Sequence, residues 1–123
     1  MTKFEHLVPS LEVCNLIPKN SPFQDSVLVW HKVKDTPDEY IIAVRQNKED
    51  IPAPTLAEIL EAVPKSSTGK YPAAGWYDVE AVWDIRCFVP GNLLRVQDVN
   101  AAEAALKLWS MANNFNKKEG FKK

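Results

Sequence analysis

The stretch Lys65-Ser66-Ser67-Thr68-Gly69-Lys70 concentrates hydroxyls and amines more densely than any other part of the chain. Ending in Gly-Lys, it has ingredients of a loop that wraps phosphate in backbone N–H groups and adds a lysine charge. Two positions defeat that reading. The first glycine of such a loop should lie five residues before Gly69, where Pro64 stands, and Lys70 is followed by Tyr71 instead of the hydroxyl that reaches Mg²⁺. Other chemistry-bearing residues are scattered. Asp78 and Glu80 lie two apart and would share one strand face, as a carboxylate pair or simply as its wet side. His6 and His31 have no Ser, Cys or acid partner at motif spacing, so a general-base role has no specific support. Cys14 and Cys87 stand alone without a close second ligand, so neither a metal site nor a cofactor is expected, and no catalytic residue is assigned.

The same seven residues from Pro64 to Lys70 resemble the lysine-bearing loop of acyl-adenylating enzymes, with Lys70 at the position that approaches the acyl-adenylate. The chain is far too short for that family's large nucleotide-binding domain, so the simpler reading is a solvated connector. It nonetheless belongs to the longest irregular stretch, Lys65 to Gly75, and long loops in compact domains are often functional. Lys70, with Tyr71 and Trp76 as flat apolar flanks, is therefore a candidate binding surface, for a small molecule or small enzyme's substrate.

The elements around these residues follow from spacing. Ser10 should cap a first helix over 10–17 whose inner face is Leu11, Cys14 and Ile17, stopped by Pro18. Thr55 with Glu58 forms a capping box, and Leu56, Ile59, Leu60 and Val63 make one apolar stripe, so 55–63 is a second helix. Between them, Ser26–Val33 and Glu39–Gln46 are rich in β-branched and aromatic residues, and the turn chemistry of 34–38 predicts an antiparallel hairpin. Both faces of the second strand are apolar, which predicts a central position or cover on both sides. From Trp76 to Trp83 residues alternate, with Tyr77, Val79, Ala81 and Trp83 on one side. The run 76–89 is either one long strand, bulged near Asp84, or two strands. Pro90-Gly91-Asn92 is a turn, and Leu93–Gln97 the return strand.

Asn100 and Glu103 open a third helix over 100–115. Its two adjacent apolar stripes together span roughly 220°, against the ~100° needed to seat on one sheet face. Either another part of the chain covers the excess, or Leu108, Met111 and Phe115 form a subunit or partner contact.

A repeated phrase runs through the chain. Pro9-Ser10-Leu11 leads to Ile17-Pro18-Lys19, and Pro54-Thr55-Leu56 leads to Val63-Pro64-Lys65. The expected fold is therefore α+β: three helices on a mainly antiparallel sheet of four to five strands, built as a pseudo-repeat of helix-plus-hairpin units. Length supports a single domain over 1–116, followed by a Lys-rich tail at 117–123 that carries +3 of a chain whose net charge is −1.

With that charge, 46% apolar and 25% charged residues, the chain has no global field for nucleic acid or an anionic membrane. Nucleic-acid binding would fall to the tail alone. No signal-peptide core or ~18-residue apolar stretch is present, so a cytoplasmic protein with buried, reduced cysteines is expected.

The segments Pro9–Cys14, Asp25–Trp30, Pro52–Leu60 and Ala104–Trp109 together resemble a group of small uncharacterised proteins of gut bacteria, several in prophage-like contexts. The shared motifs are packing motifs, so no activity or catalytic residue comes with the resemblance. The function expected is a non-enzymatic, protein-binding accessory module, phage-related, with a protein partner or a second copy of itself as ligand.

Overall fold

The computed structural model describes residues 7–35, 39–46, 50–65, 72–89 and 91–118, the last four by backbone alone. The chain is α+β, with α1 (Leu11–Cys14), β1 (Leu28–Lys32), β2 (Tyr40–Val44), β3 (Ile51–Pro52), α2 (Leu56–Ala62), β4 (Ala73–Tyr77), β5 (Val82–Val89), β6 (Asn92–Asp98) and α3 (Ala101–Lys118). The local signals for helices act where spacing places them. Ser10 Oγ accepts from Val13 N–H at 3.4 Å to start α1. At α2, Thr55 Oγ1 accepts from Glu58 N–H while Glu58 Oε1 accepts from Thr55 N–H at 2.8 Å, so two orphan donors are satisfied at once.

Among the described residues the strands form two antiparallel three-stranded sheets, in place of the single sheet of four to five strands that strand content suggests. The first has order β2-β1-β3, the second β4-β5-β6. Each half does read helix, then three strands. The halves nevertheless wind differently, because the first strand is central in one sheet and the second strand in the other. The repeat of short phrases therefore does not extend to topology. The added strand Ile51–Pro52 accounts for the difference: β3 pairs with β1, which moves β2 to an edge. Its two apolar faces are consequently not both covered, and Ile41 and Val44 stay exposed.

The run 76–89 is two strands. The chain reverses at Asp78–Ala81, so Trp76 lies opposite Trp83 and Tyr77 opposite Val82. Asp84 is regular ladder, paired with Gly75 on one side and Gln97 on the other. Alternation alone missed this reversal because a four-residue turn keeps the period of two on paper. Val79, which alternation puts on the apolar face, is 93% exposed.

Two cores result. One joins Ile59 and Val63 of α2, Ile85, Cys87 and Val89 of β5, and the buried face of α3. The other packs Val8, Cys14, Trp30, Ile42 and Ala53 together. Ile17 touches both. α3 packs on β5 and β6 with one side and on α2 with another, which covers part of its wide apolar arc and leaves Met111 exposed.

The turn generates the first prediction. Ala81 sits at φ 55°, a left-handed conformation in which a Cβ is unfavourable. Ala81→Gly should raise unfolding free energy by about 0.5–1 kcal/mol in urea titrations, because glycine relieves that strain. If residues 76–89 were one strand, the same change would lower stability by a similar amount.

Candidate functional site

The alternation of β5 sends Trp83, Ile85, Cys87 and Val89 toward α3, and Val82, Asp84, Arg86 and Phe88 to the opposite, outer face. Register then assembles a polar cluster from three strands. Asp84 lies opposite Gln97, Arg86 opposite Arg95, and Phe88 opposite Leu93, while Tyr77 of β4 lies opposite Val82. Asp84 Oδ2 accepts from Arg86 Nη2 and Arg95 Nε, both at 3.0 Å, and from Gln97 Nε2 at 3.5 Å. Arg86 Nη2 also donates to the Tyr77 hydroxyl. The Asp84 side chain is 1% exposed although it belongs to the outer face, because these neighbours close over it. Its second oxygen, Oδ1, is buried with no hydrogen-bond partner among the described residues.

Burial alone pushes the Asp84 carboxyl up. The hydrogen bonds from Arg86, Tyr77 and Gln97, together with the Arg86 charge, outweigh it and hold the group below its ordinary value of 3.8. Asp84 is therefore a fixed anion that orients two guanidinium groups. Arg95 gives it only Nε and is 47% exposed, and its Nη nitrogens have no hydrogen-bond partner among the described residues. Phe88 and Leu93 extend this face with exposed apolar surface. The arrangement can hold a carboxylate or other anion against a partly apolar surface.

A second polar pair occupies the first sheet. His31 Nδ1 and Asp50 Oδ1 are 2.9 Å apart, and Asp50 Oδ2 is buried without a partner among the described residues. Motif spacing did not reveal this acid because β3 carries it to His31 from 19 residues away. An aspartate that orients an imidazole is half of a nucleophile-activating arrangement. The residues that share its face, Val29, Ile41, Ala43 and Pro52, carry no hydroxyl or thiol. The pair is thus a tie between β1 and the start of β3.

The third feature is a groove of about 450 Å³ between α3 and the segment after α1. Val13, Ile17, Pro18, Leu106 and Trp109 form its apolar walls, and Asn20, Ser110 and Asn113 its polar rim. Lys107 also lines it, with its charge engaged by Asp98 at 3.2 Å and Glu103 at 3.7 Å.

The sequence candidates fall as follows. Lys70 and Tyr71 lie outside the described residues, as do His6 and the Lys-rich end beyond residue 118. Trp76 is partly exposed on β4, its ring edge-on to Trp83 at 5.6 Å between centroids. Leu108 is wholly buried in the α2–β5–α3 core, so it cannot present itself to a partner. Met111 is 40% exposed, and the Phe115 side chain is outside the described set. Leu108 therefore shares no surface patch with Met111. Asp78 and Glu80 sit in the β4–β5 turn, both exposed, and not on a strand face.

Sequence reasoning passed over Asp84, Arg86 and Arg95. The signal available was an Asp-x-Arg alternation facing an Arg-x-Gln alternation across the Pro90-Gly91-Asn92 turn, which brings Asp84 within diagonal reach of Arg95 once register is known.

Among the described residues, no group of His, Cys, Asp and Glu is placed to hold a metal ion, and no helix is long and apolar enough to cross a membrane. Cys14 and Cys87 are free, buried and in different cores. Burial pushes the Cys14 thiol up to about 12 and that of Cys87 to about 11. No protein family, curated protein or solved structure matches the chain.

Two predictions follow from these geometries. A carboxyl held below 3.8 stabilises the folded chain at all higher pH and loses that contribution as pH falls through its folded-state value. Asp84→Asn should therefore cost about 2 kcal/mol near neutrality and flatten the acid limb of a stability-versus-pH curve measured by urea titration. An unchanged acid limb would show that other carboxylates control acid unfolding. Both thiols should react with a disulfide reagent at pH 8 far more slowly in the native chain than in denaturant, where both should titrate. Fast native labelling of either would contradict its burial.

Proposed function

We propose that this chain is a non-enzymatic, protein-binding accessory module that works through the outer face of the β4–β5–β6 sheet. One observation carries the reading. Arg86 and Arg95 are held in place by a buried aspartate, beside Tyr77, Phe88 and Leu93, on a sheet face that carries no helix among the described residues. Arginine and aromatic residues are enriched where proteins bind one another, and a guanidinium fixed beforehand loses less side-chain entropy on binding. A sheet face of this kind suits a protein partner better than a small molecule, which needs concavity.

On the resemblance to prophage-carried proteins, the module is phage-related and acts in the cytoplasm beside a partner from phage or host. A second reading, a small-molecule binder, is favoured by the groove beside Trp109, whose volume lies within the range of small-ligand sites. The 65–75 loop lies mostly outside the described residues, whereas the groove is a concavity that described residues form. Its neutral amide and hydroxyl rim suits an uncharged, largely apolar ligand.

Site-directed photo-cross-linking separates the two faces. A photoreactive side chain at position 93, introduced in the native host, should give a discrete heavier product that Arg95→Glu removes. The same probe at position 27, on the exposed margin of the first sheet, should not give it. Products of equal yield and pattern from both positions, or none from 93, would refute the outer-face reading.

A further inference from the structure

We propose that β6 takes up an extended acidic segment of the partner protein as an added strand, its carboxylates meeting the Nη groups of Arg95. This deepens the outer-face reading and rests on it. β6 is the longest of the strands at a sheet edge, with seven residues, against five in β2 and β4 and two in β3. Beyond its ladder with β5, no main-chain hydrogen bond reaches Asn92–Asp98 among the described residues. An edge of that length presents a row of donors and acceptors to which an extended peptide can add.

Charge selects the peptide. Among the described residues, two arginines and one aspartate make up the charges of the cluster, and the aspartate is already saturated on Oδ2 by Arg86, Arg95 and Gln97. Arg95 spends Nε on Asp84 of β5, and its Nη nitrogens make no hydrogen bond among the described residues, so they remain available to a residue added beyond β6. A side chain directly across an added strand would stand about 5 Å from Arg95, within reach of a charge-assisted hydrogen bond. Alternation then fixes the pattern. Leu93, Arg95 and Gln97 share the outer face, so an incoming strand would carry its acid opposite Arg95 and, two residues away, a residue that can lie against Leu93.

The same geometry argues against a second copy of this chain as the occupant. In the full-length two-fold register β6 would pair with itself centred on Arg95, which sets like charges directly opposite each other.

The test uses the full chain and a capped, fluorescent seven-residue peptide with glutamate at its centre, valine two residues to either side and threonine elsewhere, read by fluorescence anisotropy. Binding should weaken at least tenfold when glutamate is replaced by glutamine, when alternate peptide nitrogens are methylated along one edge, or when the protein carries Arg95→Glu. It should also weaken as salt rises. Equal binding of the glutamine peptide would refute charge selection, and equal binding of the methylated peptide would refute strand addition. Absence of binding to the glutamate peptide would overturn the inference as a whole. Because the peptide arms use the unaltered protein, they decide the matter even if Arg95→Glu does not fold. If these arms fail while the cross-link from position 93 persists, strand addition falls and the broader outer-face reading stands.

Discussion

Three residues of irregular chain, Val8-Pro9-Ser10, hold the two sheets in one molecule. Asn100 Nδ2 donates to the Val8 carbonyl at 2.9 Å, Trp30 Nε1 to the Pro9 carbonyl at 3.2 Å, and Ser10 N–H to Glu103 Oε1 at 2.7 Å. The Cys14 thiol shares the Pro9 carbonyl at 3.5 Å. One partner belongs to the first sheet and two to the start of α3, which packs on the second. Val8 and Pro9 are buried, so their polar groups must be paired or each costs on the order of 1–3 kcal/mol. Ile17 extends the same suture in apolar form by touching both cores. Cores built separately on two small sheets would each be marginal for their size. Joined at this point they support one structure.

Glu103 shows how that constraint reassigns a local signal. Asn100 and Glu103 have capping-box spacing, and Asn100 Oδ1 does accept from Glu103 N–H at 3.0 Å. The glutamate does not reach back to its own cap. The Asn100 N–H is taken by Asp98 Oδ1 at 3.1 Å, and Glu103 is spent on Ser10, 93 residues away. A helix cap thereby becomes a tertiary clasp. Lys107, one turn further along α3, links Glu103 and Asp98 and steadies the same corner.

Once α3 is fixed on the inner face of β5 and β6, no helix among the described residues covers their outer face. Asp84 is unusual there: a nearly inaccessible carboxylate on an outer face, covered by side chains instead of by a second layer. Its desolvation is offset by three donors on one oxygen, and the consequence is rigidity in residues that would otherwise be mobile on a surface. The functional proposal depends on that rigidity. Without it Arg95 is an ordinary exposed arginine.

What the amino-acid order determined unaided was local. The Thr55–Glu58 box, the Ser10 and Asn100 caps, the hairpin between β1 and β2 and the turn before β6 all depend on groups within a few residues of each other, and their spacing survives any packing. Helix α3 was recognisable for the same reason, including an apolar arc too wide for one sheet. Tertiary structure decided everything that depends on register and on which surfaces meet. It alone made the chain two sheets instead of one, turned it at Asp78–Ala81, drew Leu108 inside, and brought Asp50 to His31 and both arginines to Asp84. Those pairings form between strands, so a one-residue change of register would dissolve them while every local signal stayed the same.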